Sequence, residues 1–249
     1  MSNRALRVAT YNIHKGLSFF NGRLVIHELR DKLRTLNADL VFLQEVQGLG
    51  HRSASRFEAW PEAPQYEFLA DSMWGDYAYG QNAAYDHGHH GNAILSRYPI
   101  VRWDNEDVST HRFEGRGLLH CEIEIPGWDR LLHAVCVHLA LHARGRSRQL
   151  WALRERIERL VPADAPLVVA GDFNDWREQA ARHFAQPLDL HEVFELTQRG
   201  VPARTFPAVL PLFRLDRIYV RGFGVKAAQV HRGRRMSDHA ALTSTLERL

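Results

Sequence analysis

Short apolar runs alternate with two amphipathic stretches along the chain, and this alternation predicts an α/β domain. Apolar side chains recur at helical spacing in residues 23–37 (Leu29, Leu33, Leu36) and in residues 146–160 (Leu150, Leu153, Ile157, Leu160). The predicted strands cover residues 6–12, 39–45, 92–97, 117–125, 131–139, 166–172, 216–220 and 240–246. No linker or repeat divides these elements, so residues 1–249 are expected to form a single domain.

Hydrogen-bonding and acidic residues stand where the predicted strands end or begin. Runs end at Asn12, Glu45, His138 and Asp172, and others begin just after Asp216 and after the pair Asp238 and His239. Strand ends and strand starts share an edge only if some strands run antiparallel. A mixed sheet, or two packed sheets, would therefore gather these residues at one rim, where loops commonly carry catalytic groups.

A rim with several carboxylates requires a cation or a basic partner, because closely spaced like charges cannot all stay ionised alone. Oxygen donors without thiolates suit Mg²⁺ or Mn²⁺ rather than zinc. Of the two histidines, one is expected to pair with an aspartate as a general base and the other to donate to a phosphate oxygen. Together these groups predict metal-assisted attack of water on phosphorus.

Composition limits the class of protein without naming a partner. The chain carries 32 Lys and Arg against 29 Asp and Glu, and this net charge of +3 favours anionic partners only weakly. Cys121 and Cys136 lie inside apolar runs and are expected to be reduced core thiols. We find no signal peptide and no run long enough to span a membrane, which predicts a cytoplasmic location and does not address the oligomeric state.

Six motifs resemble, in order and across nearly the whole chain, the endonuclease/exonuclease/phosphatase superfamily. They are TYNIHKG, VFLQEV, VCVHL, VVAGDFND, LDRIYV and SDHAAL. Within it the chain is most similar to the bacterial YbhP-like branch, through EFLADSMWGDYAYG, GHHGNAILSRYPI and PARTFPAVLPLFRLDRIYV. The resemblance implies a DNase I-like α/β (α+β) fold, a four-layer sandwich of two mixed sheets flanked by helices, with the active site at one end.

The resemblance also implies ligands for a cation and for the reacting phosphate. Glu45 would be the principal Mg²⁺ ligand, and Asn12 and Asp238 would complete its inner or outer coordination. Asn174 and His138 would hydrogen-bond the pentavalent phosphorane as its charge builds.

Two mechanisms for activating water remain open in this resemblance. In one, His239 is the base and Asp216 orients it; in the other, Asp172 aligns the nucleophile and His239 stabilises the phosphate. Taken singly, such residues are often turn formers, strand-end caps or core histidines. Their joint occurrence is what favours a catalytic site.

Further candidates lie outside these motifs. The family resemblance implies that Arg116 would approach the substrate phosphate, with a surface salt bridge as the alternative. His87, His89 and His90 suggest a zinc site, although neither a cysteine nor a fixed helical spacing supports it. His90 or Asn92 would instead contact phosphate or support His138, with a solvated glycine-rich loop as the alternative.

Several substrate classes remain open. The run LQEVQ lacks the polar, lysine-containing stretch usual in abasic-site nucleases, which puts abasic-site repair in doubt. Trp74, Tyr77 and Tyr79 could stack on bases or face a lipid headgroup, but core or loop packing is favoured. Nucleic acid is the leading substrate of the expected phosphodiesterase, followed by phospholipid or a small phosphate ester. A non-catalytic phosphate-binding protein is disfavoured because every motif position is present.

Overall fold

A computed structural model describes residues 5–20, 22–86, 88–197, 200–232 and 236–249. Its strands are β1 Ala5–Asn12, β2 Leu40–Gly50, β3 Asp76–Tyr85, β4 Gly88–Ser96, β5 Ile100–Asp107, β6 Gly117–Ile123, β7 Leu132–His138, β8 Leu167–Asp172, β9 His191–Glu192, β10 Asp216–Arg221, β11 Phe223–His231 and β12 Ala241–Arg248. Its α-helices are α1 Ile26–Leu36, α2 His51–Arg56, α3 Gln65–Ala70 and α4 Ala143–Leu160.

Two mixed six-stranded sheets form the centre of the molecule. Their strand orders are β11-β12-β1-β2-β4-β3 and β5-β6-β7-β8-β10-β9. The predicted four-layer α/β sandwich is confirmed, and both predicted helices and every predicted strand are present. The structure adds four strands that the apolar pattern did not predict, namely β3, β5, β9 and β11.

Three apolar layers hold the sandwich together. The middle layer lies between the sheets and contains both cysteines, which are free and buried as expected. On the outer side of the first sheet, Leu29 and Leu33 of α1 pack with Leu69 of α3. On the outer side of the second sheet, Leu153 and Ile157 are among the α4 side chains that pack on β7 and β8. Apart from Leu160, which is 40% exposed at the end of α4, the apolar face that defined each predicted helix is therefore the face that it buries.

Strand direction brings the polar strand ends to one edge, as the sequence predicted. Strand β7 is parallel to β8, and β10 is antiparallel to β8. In the other sheet β1 is parallel to β2 and antiparallel to β12. The carboxyl ends of β1, β7 and β8 therefore meet the amino ends of β10 and β12. Strand β2 was expected to end at Glu45 but continues to Gly50, so Glu45 reaches this edge from the middle of its strand, beside the end of β1.

Candidate active site

Three catalytic candidates stand side by side at the edge of the second sheet. His138 is the register partner of Asp172 across β7 and β8, and Asp172 is the register partner of Asp216 across β8 and β10. His138 Nε2 lies 3.4 Å from Asp172 Oδ2, and all three residues are buried. Gly171 lets β8 approach β7 here, because a Cβ at this position would collide with the carbonyl of Val137.

A backbone irregularity aims Glu45 at the same edge. The β2–β4 register shifts between Leu43 and Val46, and Glu45 within that shift has φ +55°. A left-handed backbone is unfavourable for glutamate, and such strain is concentrated at functional sites. Asn174, after β8, is likewise left-handed at φ +49°, which asparagine tolerates better.

The loop before β12 is fastened to the end of β1. Ser237 Oγ donates to the carbonyl of Asn12 at 2.7 Å and accepts the backbone N–H of His239 at 3.1 Å. His239 Nδ1 in turn lies 2.8 Å from Asp216 Oδ2. The imidazole is therefore oriented by a carboxylate from the other sheet, and its Nε2 lies 3.8 Å from Asp172 Oδ2.

Two amides hold the carboxylates of the site in place. Asn12 Nδ2 donates to Asp172 Oδ2 at 3.2 Å and lies 3.5 Å from Glu45 Oε1. The backbone N–H of Asn174 donates to Asp172 Oδ1 at 2.9 Å, while Asn174 Nδ2 donates to the carbonyl of Leu139. Asn12 thus links the acidic groups of the two sheets directly.

Burial and mutual charge shift the ionisation of this cluster. Burial raises the pKa of Asp172 to about 6, with the positive charge of His239 opposing this rise. Burial would lower the pKa of His239, but the carboxylates of Asp216 and Asp172 outweigh it and raise that pKa to about 10. Burial and the Arg116 guanidinium hold the pKa of His138 well below its usual range. His138 is therefore neutral near pH 7, whereas the neighbouring carboxylates favour the charged form of His239.

His14 and Lys15 belong to the site although the sequence did not single them out. His14 Nδ1 lies 3.4 Å from Asp238 Oδ1 and 4.0 Å from Glu45 Oε2, so it stands between two predicted metal ligands. Lys15 Nζ lies 4.0 Å from the same Glu45 oxygen. The signal was their position in the motif TYNIHKG, two and three residues after Asn12.

These groups surround an open cleft of about 490 Å³. Its base carries the polar groups Glu45, Arg116, His138, Asp172 and Asp238. The rest of the lining is a largely apolar wall that includes Leu141, Trp176, Phe206, Phe213 and Leu215. The cleft therefore offers a place for a phosphate beside an apolar group.

The acidic base of the cleft suits a hard divalent cation. Asp172, Asp216 and His239 each present a ligand atom within 4.8 Å of one another, and one oxygen of Asp216 is buried without a hydrogen-bond donor. Glu45 and Asp238 add carboxylates at the rim, on either side of His14. Both cysteines lie in the core, so the donors are mainly oxygens, as Mg²⁺ and Mn²⁺ prefer.

The secondary candidates take different positions. Arg116 lines the cleft and makes no ion pair among the described residues, so the alternative of a surface salt bridge is not observed. Asn92 donates to the carbonyls of Gly117 and Cys136 and so links the sheets behind the cleft. His90 stacks on Tyr85 near this edge, and burial lowers its pKa to about 4.

Neither the zinc alternative nor a stacking role for Trp74 finds support in the described part of the chain. His87 lies outside the described residues, and His89 Nδ1 is hydrogen-bonded to Tyr79 at 2.9 Å. Trp74 is buried in the core beside α1, and its Nε1 donates to the carbonyl of Ala38. Tyr77 remains 38% exposed. Core packing, the favoured alternative, is thus confirmed for Trp74.

A buried ion pair supports the loop after β8. Arg146 Nε of α4 lies 3.6 Å from Asp175 Oδ1, and Arg146 Nη1 donates to the carbonyl of Leu141 at 2.9 Å. The same guanidinium lies 4.8 Å from the ring centroid of Trp176. One arginine therefore positions two apolar residues of the cleft wall.

Comparison with known proteins agrees with this geometry. The profile of the endonuclease/exonuclease/phosphatase family matches residues 9–239. The chain belongs to this family. It is 47% identical over 245 residues to YbhP of Escherichia coli (strain K12), covering 97% of this chain and 96% of that protein.

Solved structures of the same fold cover nearly the whole chain. An endonuclease/exonuclease/phosphatase from Beutenbergia cavernae aligns with a TM-score of 0.75 at 20% identity, over 99% of this chain and 72% of its own. Truncated Caenorhabditis elegans TDP2 aligns with a TM-score of 0.75 at 18% identity, over 99% and 98%. The DNase I-like architecture is thereby confirmed.

Membership of this family places the chain among hydrolases that act on phosphoester bonds, and enzymes of the family commonly use divalent metals. In the part of the chain that the structure describes, none of the helices has the length and apolar character needed to cross a membrane.

Proposed function

We propose that this protein is a Mg²⁺-dependent phosphodiesterase, with Mn²⁺ as an alternative ion. The observation that supports it is the convergence of Glu45, Asp172, Asp238 and His239 from both sheets on one cleft. In this proposal Glu45 and Asp238 hold the cation and Asn12 braces Glu45. When bound, the cation would supply charge stabilisation to a phosphoryl oxygen.

The side chains of the cleft divide the remaining work. Arg116 and neutral His138 donate to the phosphoryl oxygens, and Asn174 joins them as negative charge builds there. A water oxygen attacks phosphorus, one ester P–O bond breaks, and the departing oxygen takes up a proton. The products are a phosphomonoester and an alcohol.

Two side chains are placed to accept the proton of the attacking water. His239 presents Nε2 towards the cleft because Asp216 holds its Nδ1, and Asp172 presents Oδ2 within 3.8 Å of that nitrogen. The pH dependence of kcat separates the two candidate bases, because the ionisation of the true base produces the rise of kcat with pH. We expect this rise to disappear in only one of the variants His239→Gln and Asp172→Asn.

The decisive experiment measures hydrolysis of bis(p-nitrophenyl) phosphate with Mg²⁺ or EDTA. Glu45→Gln and His239→Gln should each lower kcat by about 10²-fold or more, a typical size for losing a group of this kind. Glu124→Gln and His191→Gln make the same chemical changes at exposed positions outside the cleft. These controls should keep full activity, and calorimetry should show weaker Mg²⁺ binding in Glu45→Gln alone among the glutamate variants.

Full activity in both site variants, or undiminished activity in EDTA, would contradict the proposal. Absence of Mg²⁺ binding at neutral pH would favour a non-catalytic phosphate-binding protein. The sequence placed nucleic acid first among substrates, and lipid or small phosphate esters second. A panel of plasmid DNA, RNA, abasic duplex, lysophospholipids and inositol phosphates tests that order. The cytoplasmic location and the single domain over residues 1–249 stay predictions.

A further inference from the structure

A short hairpin forms part of the wall of the cleft. Phe206 and Phe213 pair with each other at its base, with N···O distances of 2.8 and 3.2 Å, and both rings line the cleft. The backbone N–H of Ala208 donates to the carbonyl of Asp238 at 2.7 Å. The hairpin is thus fixed beside a candidate metal ligand, and its tip, residues 207–212, is held in place relative to the cleft.

The hairpin tip presents aliphatic side chains to solvent. Val209, Leu210 and Leu212 are 70%, 69% and 54% exposed, and none of them lines the cleft. At the mouth of the cleft, Leu141 and Trp176 are 55% and 44% exposed. We call the tip and these two residues the apolar face. Several exposed apolar residues beside one cleft are typical of an interaction surface.

Arginines without acidic partners accompany this face. Arg144, Arg177 and Arg204 are exposed, lie within three residues of Leu141, Trp176 and the hairpin respectively, and form no ion pair among the described residues. The nearby carboxylates of Glu178 and Glu195 lie 2.7 and 3.7 Å from nitrogens of the same arginine, Arg214, which neutralises one of their two negative charges. The segments that carry the apolar face therefore have surplus positive charge.

We propose that the apolar face docks on a surface of anionic phospholipid, so that a phospholipid phosphodiester enters the cleft. Val209, Leu210 and Leu212 match acyl chains and offer no aromatic ring on which a base could stack. Trp176, the aromatic residue of the apolar face, belongs to a residue type that is enriched at membrane–water interfaces. The arginines complement anionic headgroups. The substrate class rests on the proposed function: water attacks the lipid phosphorus, one P–O ester bond breaks, and the leaving alcohol carries away the proton.

The test measures flotation with vesicles of phosphatidylcholine alone or mixed in equal parts with phosphatidylglycerol, in EDTA. Omitting the cation separates docking from catalysis. The parent should float with the anionic vesicles, and Leu210→Ser/Leu212→Ser should bind at least about tenfold more weakly. The matched control Val101→Ser/Leu160→Ser removes exposed apolar side chains at the opposite end of the second sheet and should bind like the parent.

Hydrolysis of bis(p-nitrophenyl) phosphate in solution separates failure of docking from failure of the proposed activity. Leu210→Ser/Leu212→Ser should keep this soluble activity, which also shows that it is folded, and lose hydrolysis of vesicle phospholipid. If the double variant is misfolded, Val209→Ser replaces it. A parent that hydrolyses the soluble diester but ignores anionic vesicles would overturn the docking proposal and leave the activity standing.

Two other results would assign the apolar face to a different occupant and so overturn the proposal. In the first, the parent binds single-stranded DNA but not vesicles, and Leu210→Ser/Leu212→Ser loses the DNA binding. The other is a parent that is dimeric by sedimentation and that the same substitutions make monomeric, again without vesicle binding.

Discussion

The backbone at Glu45 yields a quantitative prediction about strain and function. Both Glu45→Ala and Glu45→Gly remove the carboxylate, so both should be inactive. They differ in how they tolerate φ +55°, which disfavours alanine as it does glutamate but suits glycine. Comparing the two variants isolates the strain from the loss of charge.

The expected difference follows from two opposing quantities. A residue with a Cβ in the left-handed region costs about 1–2 kcal/mol, and glycine avoids this cost. Glycine loses roughly 0.5–1 kcal/mol more conformational free energy on folding than alanine does. Glu45→Gly should therefore be more stable than Glu45→Ala by about 1 kcal/mol, or about 2–4 °C in Tm for a domain of this size.

The assay is urea unfolding and differential scanning calorimetry of both variants. Glu155, exposed within α4, gives a matched control. There Glu155→Ala should be more stable than Glu155→Gly by about 1 kcal/mol, the opposite order, because alanine is the better helix former. If alanine is also the more stable replacement at Glu45, the inference of strain at the candidate metal ligand is refuted.

Three further predictions concern the scaffold. Burial raises the pKa of Glu192 to about 7, whereas the glutamate of the unfolded chain has a pKa near 4.5. The native state therefore keeps a proton that the unfolded chain has released, and the free energy of unfolding should fall by about 3 kcal/mol as the pH rises from 4.5 to 7. Glu192→Gln should remove this fall in urea unfolding near pH 5 and pH 8; an unchanged pH dependence would contradict the assignment. Arg146→Met leaves Asp175 buried without its ion-pair partner and should lower the free energy of unfolding, measured in urea, by about 3–5 kcal/mol. An unchanged free energy of unfolding would mean that the ion pair does not stabilise the fold. Trp74→Ala should cost about 3–5 kcal/mol while leaving the KM of the folded enzyme unchanged, and a raised KM would restore a role in substrate binding.

Burial explains which strands the sequence could predict. All four strands that escaped prediction, β3, β5, β9 and β11, are the edges of the two sheets. Strand β5 is mostly exposed along its length, so it carries no continuous apolar run. Central strands such as β7 and β8 are buried throughout, and their sequences show it.

Seven candidate residues were visible in the sequence because polar groups at the ends of apolar runs are conspicuous, whereas Asn174 and Arg116 came only from the family resemblance. The common edge of the seven was a correct prediction, since it needed only the strand directions. His14 was missed, because its place between Asp238 and Glu45 depends on contacts between segments far apart in the chain. The motif TYNIHKG places His14 two residues after Asn12, but it does not show which distant side chains His14 contacts.

The hydrophobic pattern of the sequence thus determined an α/β fold, its core strands, two of the covering helices and the acidic strand ends, because burial and helical or strand periodicity are local properties. The four-layer sandwich came from the family resemblance. Only the tertiary structure decided the edge strands, the left-handed turn of Glu45 and the apolar hairpin beside Asp238. Each of these depends on which distant segments meet, and their packing, rather than the residues' own preferences, fixes where the side chains lie.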